Sequence, residues 1–138
     1  MKWGTDEGVS VQNGDVYDTG CPSRPIMEHV TSRWGVLVLH ALRSETLRFS
    51  ALRRKITGVS EKMLTQTLQT LERDGLVHRE VFPVIPPHVE YSLTRMGEEV
   101  AGCVATLFTW IEGNTEAVLA AQARYDDAKH RVSHPVAT

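Results

Sequence analysis

Residues 59–75 read Val59-Ser60-Glu61-Lys62-Met63-Leu64-Thr65-Gln66-Thr67-Leu68-Gln69-Thr70-Leu71-Glu72-Arg73-Asp74-Gly75, and this stretch decides the fold. Serine is a favoured helix N-cap and glycine a favoured residue just past a helix C-terminus, so a helix is expected over about residues 60–74. At ~100° per residue, Leu64, Leu68 and Leu71 fall on one side and Lys62, Thr65, Gln66, Gln69 and Arg73 on the other. One face belongs to a core and the other is a row of hydrogen-bonding groups. Taken alone, such a row is an ordinary solvated face, and its neighbours decide its meaning.

Upstream, Thr57-Gly58-Val59 is a short connection, and Phe49, Leu52 and Ile56 at i, i+3 and i+7 mark a preceding helix with Arg53, Arg54 and Lys55 on its outer face. Thr46 to Arg48 leaves room for a very short strand at most. Ser32 is a plausible N-cap for a helix carrying Trp34, Leu37, Val38, Ala41 and Leu42, and Ile26, Met27 and Val30 suggest a short helix after Pro22.

Downstream, Leu76–Val84 and His88–Leu93 are β-rich, with Val89, Tyr91 and Leu93 alternating against His88, Glu90 and Ser92. They form a hairpin over about residues 76–93. Its turn holds Ile85-Pro86-Pro87, and proline has no N–H to give to a ladder, so the tip is expected to project as a loop. Thr94 can cap a long helix with Met96, Val100, Cys103, Val104, Leu107, Trp110 and Ile111 on its apolar face, expected to end near Gly113. A last helix from about Glu116 to His130 offers Val118, Leu119, Ala121 and Tyr125 for packing. Two helices beyond a complete small domain need another surface to cover them, and a partner subunit supplies one.

The order helix, helix, tiny strand, helix, helix, hairpin, helix is that of a winged helix-turn-helix: mainly α with a small β-hairpin, an α+β fold. The expected division is a flexible arm over 1–20, a DNA-binding domain over 21–113, a dimerisation helix over 114–130 and a flexible tail over 131–138. The arm is inferred from Gly4, Gly8, Asn13, Gly14, Asp15, Asp18 and Gly20 without a sustained apolar period.

A net charge of −2 looks wrong for a nucleic-acid binder until it is mapped along the chain. Residues 24–80 carry ten Lys/Arg against six Asp/Glu, whereas residues 1–23 and 81–138 are each net acidic. The basic part is the part that holds the helix pair. Lys62 and Arg73 can reach phosphates or guanine edges, Gln66 and Gln69 can pair bidentately with adenine, and Thr65 offers a hydroxyl or a methyl contact. Arg53, Arg54 and Lys55 would set position on the backbone, and Ser60 at the helix start and His88 on the wing complete the expected contacts with duplex DNA.

Other chemistries find little support. There is no Gly-rich phosphate loop after a strand, no Cys-x-x-Cys and no nucleophile with a neighbouring base, so an enzyme is not expected. The six histidines show neither paired metal spacing nor a cysteine cluster, and neither a metal nor another cofactor is expected. No apolar run approaches the roughly 20 residues of a membrane span, and the N-terminus lacks a secretory pattern, so a cytoplasmic protein is expected.

From Cys21 to about Trp110 the chain resembles the HxlR-type regulators, a bacterial and archaeal branch of the winged-helix superfamily. The matching segments are Cys21-Pro22, Arg33-Trp34, Arg48-Phe49 with Leu52, Val59 through Leu68, Leu71-Glu72-Arg73-Asp74-Gly75-Leu76-Val77, and Val89-Glu90-Tyr91-Ser92-Leu93-Thr94. The resemblance implies a sequence-specific transcription regulator acting as a homodimer on palindromic DNA and dimerising through its first helix and its C-terminal helices; a repressor is the expected form, with activation left open by the sequence. Half-sites are then expected about 10–10.5 bp apart or a multiple of this.

Cys21 precedes Pro22, which favours the first turn of a helix, so its thiol is expected at or near a helix N-cap, where the terminus favours the thiolate. The resemblance adds that redox-sensing members use a cysteine at this position, making Cys21 the candidate sensor of oxidants or electrophiles. Cys103, on the flank of the Val100/Val104/Leu107 stripe, reads more readily as a small core residue than as its partner. A Cys21–Cys21 bridge between subunits, a Cys21–Cys103 bridge between subunits and a mixed disulfide all stay open. Two alternatives to a thiol-switched regulator remain: control by a small molecule held near Trp34, Phe108 and Trp110, and a winged domain that binds only protein.

Overall fold

Capping side chains set the element boundaries. In the computed structural model, which describes residues 14–133, Ser32 Oγ accepts from Gly35 N (3.1 Å), Ser60 Oγ from Met63 N (3.1 Å) and Thr94 Oγ1 from Gly97 N (3.1 Å). Each satisfies an N–H that the helix itself leaves without a partner. The helices they begin are α2 (Arg33–Ala41), α4 (Glu61–Arg73) and α5 (Arg95–Ser133). The remaining elements are α1 (Ser23–Val30), β1 (Leu47–Arg48), α3 (Phe49–Lys55), β2 (Val77–Phe82) and β3 (His88–Leu93).

Helix α4 stops as its sequence demands. Gly75 has φ +79°, Gly75 N donates to Glu72 O (3.0 Å) and Leu76 N to Leu71 O (2.9 Å), the paired bonds of a Schellman turn. Leu71 and Leu76, which the turn brings together, are both buried. Around them, Val38 and Leu39 of α2, Leu52 of α3 and Leu64 and Leu68 of α4 complete the centre of the core. Each of these leucines contributes about 1.5–3 kcal/mol by leaving water, which makes the apolar face of α4 the energetic anchor of the unit.

The three strands form one antiparallel sheet in the order β1-β3-β2. Leu47 and Arg48 stand opposite Tyr91 and Glu90, and β2 pairs with β3 from Val77–Leu93 to Phe82–His88. The expected clean alternation along β3 is absent: all six of its residues are half-buried. As the central strand it is flanked on both edges, so His88, Glu90 and Ser92 lose solvent along with Val89, Tyr91 and Leu93.

The C-terminal region departs from expectation. No helix end occurs at Gly113; α5 runs unbroken to Ser133, so one helix replaces the two expected. The stretch Gly113-Asn114-Thr115 looks like a breaker, but Asn114 Nδ2 donates to Trp110 O (2.8 Å) and Thr115 Oγ1 to Ile111 O (2.7 Å). Both side chains bond back to the carbonyl four residues earlier, which leaves the helix intact. By contacts the chain divides inside α5, into one compact unit up to Val104 and a second from Ala105.

At the other end, residues 14–20, read as part of an arm, form hydrogen-bonded turns: Asp18 N donates to Asp15 O (3.1 Å), and Asp15 Oδ1 and Asp18 Oδ1 accept from Tyr17 N and Gly20 N. The rest of the expected arm, 1–13, and residues 134–138 of the expected tail lie outside the described residues. Among the described residues no helix is long and apolar enough to cross a membrane.

Candidate nucleic-acid interface

Because Leu64, Leu68 and Leu71 are drawn inward, the opposite side of α4 faces solvent. Lys62, Thr65, Gln66 and Gln69 are all exposed and line one open groove together with Glu61. Arg73 stands exposed in the last turn and does not line that groove. Ser60 spends a lone pair on the Met63 N–H and keeps its hydroxyl proton for another acceptor.

Beside this row, Arg53 and Arg54 of α3 share a second concavity with Phe49, Ser50 and Glu61. Lys55 is exposed on α3, and its Nζ lies 3.1 Å from Glu45 Oε2 in a solvent-exposed pair. His88 is likewise engaged, with Nε2 3.1 Å from Glu90 Oε2 and its ring stacked on Phe82 at 4.8 Å between centroids. Among the described residues Arg53 and Arg54 carry no such pair, which makes them the better donors to a phosphate backbone.

Two residues that sequence reasoning passed over belong to this surface, and a third ties the end of its helix to the first helix. Glu61 occupies the first turn of α4, where a carboxylate favours the helix terminus but repels phosphate. Its position just after the Ser60 cap was the available signal. Arg79 of β2 lines a concavity with Thr65, Gln69, Glu72 and Tyr91, joining the hairpin to the α4 face. Asp74, the C-cap of α4, holds His29 of α1 through Oδ2 and Nδ1 at 2.7 Å, tying the first helix to the end of α4. No local pattern announces a bond across 45 residues.

Cys21 lies one residue before the Pro22 N-cap of α1 and is partly exposed. Its Sγ accepts from Asp15 N (3.2 Å) and from Ser23 Oγ (3.2 Å). The Asp15 N–H, then the Ser23 hydroxyl and N–H, hold the thiol below its ordinary pKa against small opposing effects of burial and of the Asp18 charge. Hydrogen bonds to the sulfur, rather than the helix terminus alone, favour the thiolate. Cys103 is exposed, so the expectation of a core residue fails for this chain, and both cysteines are free thiols. Of the aromatics considered for a ligand, Trp34 packs on the core under the Arg33 guanidinium (5.0 Å), and Trp110 is exposed. No cluster of three or more His, Cys, Asp or Glu suited to a metal occurs among the described residues.

The model of the HxlR-like helix-turn-helix family matches residues 29–118. The chain belongs to this family. It is 60% identical to the HTH-type transcriptional regulator YtfH of Escherichia coli over 80% of this chain and 87% of that protein. Among solved structures, the transcriptional regulator ytfH of Salmonella typhimurium superposes with a TM-score of 0.76 at 58% identity, covering 80% of this chain and 99% of that one. The redox regulator HypR in its oxidized form superposes with a TM-score of 0.63 at 35% identity, over 68% and 97% of the two chains. As an HxlR-like protein the chain is a transcription regulator with a DNA-binding helix-turn-helix, and its relatives are regulators rather than enzymes.

Proposed function

We propose that the chain is a homodimeric repressor that reads a palindromic operator in the cytoplasm with α4 in the major groove, and that it is released from DNA by oxidation or alkylation of Cys21. The observation that carries the reading is the exposed row Lys62, Thr65, Gln66 and Gln69 in one groove, with Arg53 and Arg54 beside it. Lys62, Arg53 and Arg54 neutralise phosphates, with Ser60 and Arg73 at the ends of the row. Gln66, Gln69 and Thr65 read base edges, Gln66 and Gln69 preferring adenine.

Lys62→Ala and Arg54→Ala are expected to weaken binding to all duplexes alike and to lower the slope of log affinity against log salt by about 1 each. Gln66→Ala is expected to cost about 1–3 kcal/mol on the preferred duplex only, flattening its preference over a scrambled one. Fluorescence anisotropy on both duplexes over a salt series checks this, and unchanged binding in all three variants would reject the surface. Absence of any salt-sensitive binding would favour a protein-binding module instead.

The sulfur's hydrogen bonds, which favour a reactive thiolate, support the switch, as does the similarity to the redox regulator HypR. With diamide as oxidant, two thiols give two electrons and two protons to the N=N bond and join as a disulfide. The second thiol is Cys21 of the partner subunit, Cys103 of the partner subunit or a small thiol. In Cys103→Ser, the alkylation rate of Cys21 is expected to rise with pH through a midpoint below that of an ordinary thiol, and adding Ser23→Ala should move that midpoint up. Cys21→Ser should bind DNA normally and ignore diamide; oxidant-driven release in that variant would sink the switch.

A further inference from the structure

The tip of the hairpin carries chemistry that the α4 surface does not use. The ladder closes at the Phe82–His88 pair, whose rings stack within 17° of parallel and brace the base of the loop. Between them run Pro83-Val84-Ile85-Pro86-Pro87, with no charged side chain and no side-chain hydrogen-bonding group. All five are exposed, and Ile85 is 99% exposed. Three prolines fix φ at their own positions, so the loop holds its shape before any partner arrives and gives up little freedom on meeting one.

We propose that Ile85 is an apolar wedge that enters the minor groove beside the α4 site and unstacks a base step, bending the duplex; this rests on the DNA-binding reading above. Continuity with that surface places it there: Thr65 and Gln69 of α4 share a concavity with Arg79 and Tyr91 of the hairpin, so the hairpin flanks the reading helix. An element flanking a helix in the major groove meets the neighbouring backbone and minor groove, as the arm of a homeodomain does.

Charge argues against an ordinary cationic contact at the tip. The hairpin's Arg79 sits at the α4 end of the ladder, His88 is held by Glu90, and Glu80 stands directly opposite Glu90. Phosphate attraction therefore does not recruit the loop. Isoleucine and proline are among the side chains that architectural proteins push between base steps, kinking the duplex by tens of degrees. The steps that yield most readily are pyrimidine–purine, TA and CA/TG. The wedge thus gives the regulator a preference for a flexible step at a position where no side chain forms a hydrogen bond.

The test uses the full chain and a duplex that it selects from a randomised pool, labelled at both ends so that energy transfer reports the bend. The wild type is expected to shorten the end-to-end distance, Ile85→Met to do the same, and Ile85→Ala to leave the duplex straight. Affinity of Ile85→Ala should fall about tenfold, comparable to one lost specific contact, with the salt slope unchanged because no phosphate is given up. A bend in Ile85→Ala equal to that of the wild type overturns the wedge, as does a shallower salt slope in that variant. Failure of the wild type to bind any duplex with salt dependence overturns the DNA-binding reading itself, a result distinct from either.

Discussion

Gly97→Ala is expected to destabilise the winged-helix unit by about 3 kcal/mol or more, at the upper end of what overpacking costs. Gly97 is buried in the first turn of α5, and a Cβ on it would overlap the carbonyl oxygen of Leu76. Neither side can retreat easily. Leu76 N is bonded to Leu71 O in the turn that ends α4, Leu76 O accepts from Thr94 N (3.1 Å), and Thr94 Oγ1 donates to Gly75 O (2.6 Å). The bonds that would have to stretch are those joining the end of α4 to the start of α5. Against a total stability of about 5–15 kcal/mol the loss is large. Intrinsic helix propensity pulls the other way by about 1 kcal/mol, which supplies a control. Gly113→Ala, with nothing within 4 Å of its added Cβ, is expected to stabilise by about 0.5–1 kcal/mol. Urea unfolding at one fixed chain concentration, followed by circular dichroism, checks the pair. A Gly97→Ala midpoint at or above wild type would mean that the α4–α5 junction is softer than its hydrogen bonds imply.

That contrast between two glycines also separates what could be read in the chain from what could not. Ser32, Ser60, Gly75 and Thr94 announced their elements because a cap bonds to N–H or C=O groups within a few residues, and local chemistry is written locally. The inward face of α4 was equally legible, since Leu64, Leu68 and Leu71 need only the helical period to fall together. Gly113 misled for the same local reason: it resembled a stop, and the side chains of the next two residues kept the helix going. Gly97 gave no warning, because what it touches is the Leu76 carbonyl on another element. The candidate site divided along the same line. Lys62, Thr65, Gln66 and Gln69 came out together, as one helix face must. Lys55 and His88 were read as donors to DNA, and the structure finds each beside a carboxylate, Glu45 and Glu90. The His29–Asp74 bond joins residues too distant in sequence for any periodicity to connect.

The second large effect concerns the proposed dimer: Ile111→Glu is expected to give a monomer whose DNA affinity is at least about a hundredfold lower. Within the α5 segment from Ala105 onward, Leu107, Ile111, Val118 and Tyr125 are 51%, 46%, 41% and 65% exposed. With Asn114 and Ala121 they fall at alternating steps of four and three residues, the spacing of a seam between two helices. A helix of this kind gains little from its own backbone in water and depends on covering its apolar stripe. A second copy of the same stripe is the surface that matches it, and Asn114, whose Nδ2 is bonded to Trp110 O, sits in the seam where a polar residue sets register. Placing a carboxylate at 111 in each copy would bury two like charges without partners, at several kcal/mol apiece. DNA binding should follow, because two linked α4 helices bind a palindrome with an effective concentration that one α4 helix lacks. Light scattering after gel filtration reads the mass, and anisotropy on the selected duplex reads the affinity. Asn114→Leu should remain associated, since it removes only the polar member of the seam. An Ile111→Glu chain that stays dimeric would show that the stripe on α5 is not the surface that joins the copies.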